Sequence, residues 1–216
     1  MRLLAAALLG LCLAAHAATP HHAVLETSMG DITIELDARN APGSVGAFAA
    51  HARAGTYDNT LFHRVVKGFV VQGGEYANRA DTPDLLPVWP TARVAPYPPE
   101  AKNGVRNRRA TVALVRGSAA GHGHPPHGFF FNLADNDFLD YRRFDADTRV
   151  PTPRGPQVAP AGTEIEGYAV FGRVVSGWDV VERIAQVPVT KERVPHEHAP
   201  VKRVVLKRVR LLAAQW

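Results

Sequence analysis

Leu61-Phe62-His63-Arg64-Val65-Val66-Lys67-Gly68-Phe69-Val70-Val71-Gln72-Gly73-Gly74 contains two short apolar runs divided by Lys67-Gly68. Runs of this length, rich in β-branched and aromatic residues and bounded by glycine, predict two strands. Upstream, Ile32, Ile34 and Leu36 alternate with Asp31, Thr33 and Glu35, the period of a half-buried strand. Val24-Leu25-Glu26-Thr27 precedes them, and Ser28-Met29-Gly30-Asp31 reads as a hairpin turn. Between these pairs lies a helix from about Pro42 to Arg53. Val45, Phe48, Ala49 and Ala52 share one face at helical spacing, and Gly55 ends it.

Downstream, residues 111–115, 129–133 and 168–175 are further strand candidates, and the last strand is expected over about 201–212. A second helix begins near Gly177, with Val180, Val181 and Ile184 on its apolar face. Ser176 and Asp179 are spaced as an acidic capping box. Residues 77–103 and 141–166, rich in proline and charge, read as surface loops. Many short strands with two separated helices predict an all-β barrel with helical lids.

A chain of 216 residues suits one domain. With 46% hydrophobic and 21% charged residues, it has the composition of a packed core and not of a disordered segment. The net charge of +5 favours acidic partners and surfaces. Arg2, the apolar run Leu3 to Leu13 and Ala15-His16-Ala17 have the layout of a cleavable signal peptide over residues 1–17, leaving a mature domain at 18–216. That run is too short to span a bilayer comfortably, and no later segment is apolar enough to cross a membrane, so no membrane insertion of the mature protein is expected. Cys12, the sole cysteine, lies in this segment. A lipid-anchored Cys12 is the alternative, but Leu11 stands where lipoprotein signals want a small residue.

The blocks Phe62-His63-Arg64, Gly68-Phe69 and Gln72-Gly73-Gly74 resemble the signature of cyclophilins. The resemblance covers most of the mature chain. It includes Ala41-Pro42 to Tyr57-Asp58-Asn59, Glu100-Ala101-Lys102-Asn103-Gly104, Phe129-Phe130-Phe131-Asn132 and Tyr168 to Val175, and it is closest to bacterial periplasmic members. It implies a closed eight-stranded antiparallel β-barrel capped by two α-helices. It also implies peptidyl-prolyl cis-trans isomerase activity on proline-containing polypeptides during folding of exported proteins. The expected compartment is the periplasm, and the expected form is a monomer without cofactor or metal. A barrel of eight strands is filled by its own side chains, so a peptide must bind outside it.

By the same resemblance, Arg64 acts on the proline nitrogen, Gln72 binds the substrate backbone and orients Arg64, and His63 has a positioning role. Phe69, Phe130, Leu139 and Tyr168 form the proline pocket, joined by Phe138 where some eukaryotic members carry tryptophan. Val115 and Arg116 hold the peptide through main-chain atoms. The chain departs from the family at His127-Gly128, where the usual pair is Ser-Gln. A glycine there removes a substrate hydrogen bond, so the expectation is that Gly128→Gln tightens peptide binding. A non-catalytic peptide-binding or chaperone-like module on the same scaffold is the rival reading.

His122, His124 and His127 form an H-x-H-x-x-H run, from which a metal-buffering protein is conceivable. No carboxylate or cysteine lies within the run to fix a geometry, and a solvated polar loop is the plainer reading. His196-Glu197-His198 lacks the spacing of a zinc protease helix. The basic run Lys202, Arg203, Lys207, Arg208 and Arg210 reads as a solvated strand face, not a nucleic-acid surface.

Overall fold

The computed structural model describes residues 20–82, 84–94, 96–116, 127–150, 155–191 and 197–212. The expected signal segment 1–17, with Cys12, lies outside the described residues, as do His122, His124 and His196.

In chain order the elements are β1 (His22–Thr27), β2 (Gly30–Leu36), α1 (Pro42–Arg53), β3 (Thr60–Val66), β4 (Val70–Ala77), β5 (Leu86–Pro87), β6 (Thr111–Leu114) and β7 (Phe129–Asn132). They continue with β8 (Arg142–Arg143), β9 (Thr148–Val150), β10 (Gln157–Ala159), β11 (Glu164–Ile165), β12 (Val170–Ser176), α2 (Trp178–Ala185) and β13 (Val205–Leu212). The main sheet runs β3-β13-β1-β2-β12-β6-β7-β4, and β4 pairs back onto β3. Every pairing is antiparallel, so eight strands close into a barrel, with β5 an added edge on β4. Closure removes the open edges that would otherwise template aggregation.

Alternation along the strands separates two apolar clusters. Ile32, Ile34, Val71, Val112, Phe129, Phe131 and Phe171 point into the barrel and join Phe48 of α1 and Ile184 of α2 in one core. Phe48 packs against Tyr57, Phe129 and Phe171 at ring distances of 5.2, 6.0 and 5.0 Å. The intervening residues Val70, Ala113, Phe130 and Val170 point outward and form a second cluster.

Helix α1 starts at Pro42, whose fixed φ suits the first helical position. The first-turn N–H groups of Gly43 and Ser44 are capped from afar: Glu100 accepts from both at 2.7 Å and from the Ser44 hydroxyl at 2.6 Å. Residues 77–103 are largely irregular, as expected, and this contact ties their end to helix α1.

Two expectations are corrected. Residues 141–166 are not merely loop: β8 pairs with β11, and β9 with β10, so the segment doubles back as a two-tier ladder. Nor does α2 carry a capping box. Its N-cap is Gly177 at φ 77°, with no side-chain cap bond, and Asp179 instead pairs with Arg183 at 2.5 Å, one turn on. A β-carbon at Gly177 would stand 2.2 Å from the Asp31 carbonyl, so close approach as well as positive φ demands glycine there.

Candidate active site

Pairing register lines up one row of outward residues across the barrel wall. Arg64 on β3 faces Gln72 on β4, Gln72 faces Phe130 on β7, Phe130 faces Ala113 on β6, and Ala113 faces Val170 on β12. Bulges on either side of Phe62 break the alternation of β3, so that Phe62 and His63 are both buried while Arg64 still emerges beside Gln72. The row therefore runs from a cation, through an amide, to an aromatic ring.

The apolar end is a pocket wall assembled from six separate stretches. Phe69, Val115, Leu139 and Tyr168 pack around Phe130, with Val70, Val105, Ala113 and Val170 beneath. Phe130 and Tyr168 meet edge to face at 5.4 Å. Phe138, 57% exposed, stacks on Phe69 at 5.4 Å and extends the wall outward. The Arg64 guanidinium carbon lies 5.8 Å from the centre of the Phe69 ring, over the same pocket. At the opposite rim Arg116 covers Tyr168 at 4.6 Å and pairs with Glu166 at 3.4 Å.

All ten residues proposed from sequence fall in this region, but not all are open to a ligand. His63 is 2% exposed, its ring 4.6 Å from that of Tyr76 and its Nε2 3.6 Å from Glu75 Oε2. It lies behind the wall, where a group can position others but cannot touch a peptide. The Val115 N–H donates to the Gly128 carbonyl at 2.9 Å. Any main-chain hold on a peptide there falls to its carbonyl or to Arg116.

The open space assumed for a side chain at Gly128 is not there. A β-carbon at 128 would lie 2.4–2.7 Å from the Glu75 side chain, so the space is filled, not vacant. His127 is buried beside His51, with ring centres 5.6 Å apart, and its carbonyl accepts from the Tyr57 hydroxyl at 2.9 Å. Its ring thus packs inward, away from the solvated loop the sequence suggested. Among the described residues no group of three metal-ligating side chains is gathered. At the last strand Arg208 and Arg210 pair with Glu26 at 2.8 and 2.5 Å, and the two guanidiniums hold its carboxyl down at about 2.

A polar network missed by the sequence reading fixes the pocket. Asn107 Nδ2 donates to Asp140 Oδ1 (3.0 Å), Leu139 O (3.3 Å) and Tyr168 O (3.2 Å). Asn132 Nδ2 donates to Asn107 Oδ1 (3.1 Å) and to Thr111 Oγ1 (2.9 Å). Buried and mutually bonded, these side chains lock together main-chain segments far apart in sequence. The one sequence signal was Asn132, at the end of the quoted Phe129-Phe130-Phe131-Asn132 block.

The architecture is that of a closed β-barrel with an apolar cluster on the outside of its wall and the Arg64 guanidinium beside it. The chain belongs to the cyclophilin type peptidyl-prolyl cis-trans isomerase family, whose model matches residues 22–210. It is 35% identical over 196 residues to peptidyl-prolyl cis-trans isomerase A of Dickeya dadantii, covering 91% of this chain and 87% of that one. It is 33% identical over 189 residues to peptidyl-prolyl cis-trans isomerase B of Escherichia coli, covering 85% and 94%. A crystal structure of a cyclophilin type isomerase from Cryptosporidium parvum superposes with a TM-score of 0.60 at 19% identity, covering 91% of this chain and 99% of that one.

Proposed function

We propose that the mature protein isomerises X-Pro bonds in exported polypeptides, in the periplasm and as a monomer, with the Arg64–Gln72–Phe130 row as its catalytic face. The observation that carries this reading is the register that places Arg64 beside the apolar pocket. Isomerisation must break amide resonance, a barrier of about 18–20 kcal/mol. The twisted state frees a lone pair on the proline nitrogen, and a group that favours this state over the planar one accelerates the reaction. In this mechanism the pocket of Phe69, Phe130, Leu139 and Tyr168 grips the ring. The Arg64 guanidinium, charged at any working pH, then donates toward the nitrogen.

One charge-assisted hydrogen bond contributes about 1.5–3 kcal/mol, whereas a 10⁵-fold gain needs about 7 kcal/mol. The remainder falls to orientation: the ring is held while the residue before it turns. No nucleophile takes part in such a rotation. The signal layout of residues 1–17 supports export with cleavage before Ala18.

Two measurements test the proposal. A proline-peptide assay on the mature protein should show isomerisation far above the spontaneous rate. A binding constant without acceleration would instead favour a non-catalytic peptide-binding module. Intact mass of the exported protein should correspond to a chain starting at or near Ala18. A diacylated Cys12 would establish the lipoprotein alternative.

A further inference from the structure

Glu75 is a charged residue with 3% exposure at the edge of the catalytic face. It sits on β4, three residues beyond Gln72, and its Oε2 accepts from Gln72 Nε2 at 3.0 Å. The same oxygen is 3.6 Å from His63 Nε2. Its main-chain carbonyl is bonded to Val88 N–H at 2.8 Å, so the strand that carries it is held from the other side. Above Gly128 the Glu75 Cγ, Cδ and Oε2 fill the volume of any side chain at that position. The glycine is therefore the complement of a glutamate reaching in from the neighbouring strand.

We propose that Glu75 is a positioning residue of the active site: it replaces the side chain missing at 128 and clamps the Gln72 amide in one orientation. The inference rests on the isomerase reading of the Arg64–Gln72 row. Its Oε2 accepts from Gln72 Nε2, so it selects the NH₂ end of the amide. With Nε2 turned to Glu75, Oε1 is the atom Gln72 presents to the Arg64 guanidinium or to a peptide N–H. A glutamine at 75 would both donate and accept, and would let the amide turn over. The burial of Glu75 is what makes the clamp rigid, because the side chain cannot swing away without losing both partners.

The test pairs kinetics with a spectroscopic signature. In the isotope-labelled mature protein, the Gln72 side-chain NH₂ resonances should be sharp and shifted. In Glu75→Gln, which preserves shape, they should move and broaden, and kcat/KM should fall about 5–10-fold, mostly in kcat. Gly128→Ala keeps Glu75 but drives a β-carbon into it, and should reproduce both effects. In Glu75→Ala/Gly128→Gln the new glutamine has room, and kcat/KM should exceed that of Gly128→Gln alone by at least about 5-fold. The proposal is overturned if folded Glu75→Gln and Gly128→Ala keep wild-type kcat/KM and unshifted Gln72 resonances. It is overturned equally if the double variant is no better than Gly128→Gln. Absence of isomerase activity in the wild type would sink the functional reading instead, and the resonances would still report whether the clamp exists.

Discussion

Asn136 donates through Nδ2 to the main-chain oxygen of Phe69 at 3.1 Å, across 67 positions of sequence, and to Asn132 Oδ1 at 2.8 Å. Phe69 thereby shares a frame with the 3-10 turn Asp137–Leu139, which carries Phe138 and Leu139. Asn136→Ala leaves the buried Asn132 Oδ1 short of a donor, while the Phe69 carbonyl keeps only the Leu133 N–H at 2.8 Å, at a cost of about 1–3 kcal/mol. A loosened pocket weakens ground and transition states alike, so KM should rise about 3–10-fold with kcat little changed. Urea unfolding and steady-state kinetics on the same preparation would check both figures. A stable variant with unaltered KM would show that the network does not shape the pocket.

Arg64 is half-buried and reaches over Phe69. Arg64→Ala should remove most isomerase activity while circular dichroism stays native. Arg64→Lys should also lose much of it, because an ammonium lacks the planar fork and spreads its charge differently. Near-wild-type turnover in folded Arg64→Ala would refute the mechanism.

His51 is fully buried on α1, and burial pushes it down from 6.5 to about 4. The native state keeps it neutral, whereas the unfolded chain takes up a proton near its ordinary value. Stability from this group is thus complete above pH 6.5 and declines as pH falls toward 4, with no further loss below. Between pH 7.5 and 5 the wild type should lose about 1–2 kcal/mol through this residue. His51→Leu should show a flatter profile over that interval, whatever its absolute stability. Denaturant midpoints at the two pH values measure the difference. Equal slopes in both proteins would mean that another group governs the acid response.

Glu100 caps α1 through three hydrogen bonds across more than 50 positions. Glu100→Ala should cost about 1–2 kcal/mol, the usual value of a lost cap. For a domain of this size each kcal/mol lowers the melting temperature by about 2–4 °C. Calorimetry should register that drop, with kcat/KM below the transition unchanged within about twofold. An unchanged melting temperature would show that water serves the helix end as well as the carboxylate does.

Local signals carried much of the architecture. The alternation of Ile32, Ile34 and Leu36 located β2, the spacing of Val45, Phe48 and Ala52 located α1 to the residue, and Lys67-Gly68 marked the turn between β3 and β4. The chemistry of the wall was legible too, since Arg64 and Gln72 are brought together by one hairpin whose turn is written between them. Local pattern misled at Ser176 and Asp179, where capping-box spacing gave way to a glycine that the Asp31 carbonyl requires. It was silent on the ladder of 141–166, whose two- and three-residue strands are too short to show a period.

By itself, then, the sequence determined the strands of the barrel, the two helices, the family and the groups offered to a substrate. These depend on periodicity, turn chemistry and ordered motifs, all of which act within about a dozen residues. Tertiary structure alone decided which of those groups are reachable and what supports them. Bulges in β3 bury His63, Asn107 and Asn136 bind pocket walls from distant segments, and Glu100 supplies the cap α1 lacks. The filled space above Gly128 belongs to the same kind of fact. A glycine in sequence is only a missing side chain; whether its volume is empty depends on the neighbouring strand, and here Glu75 occupies it.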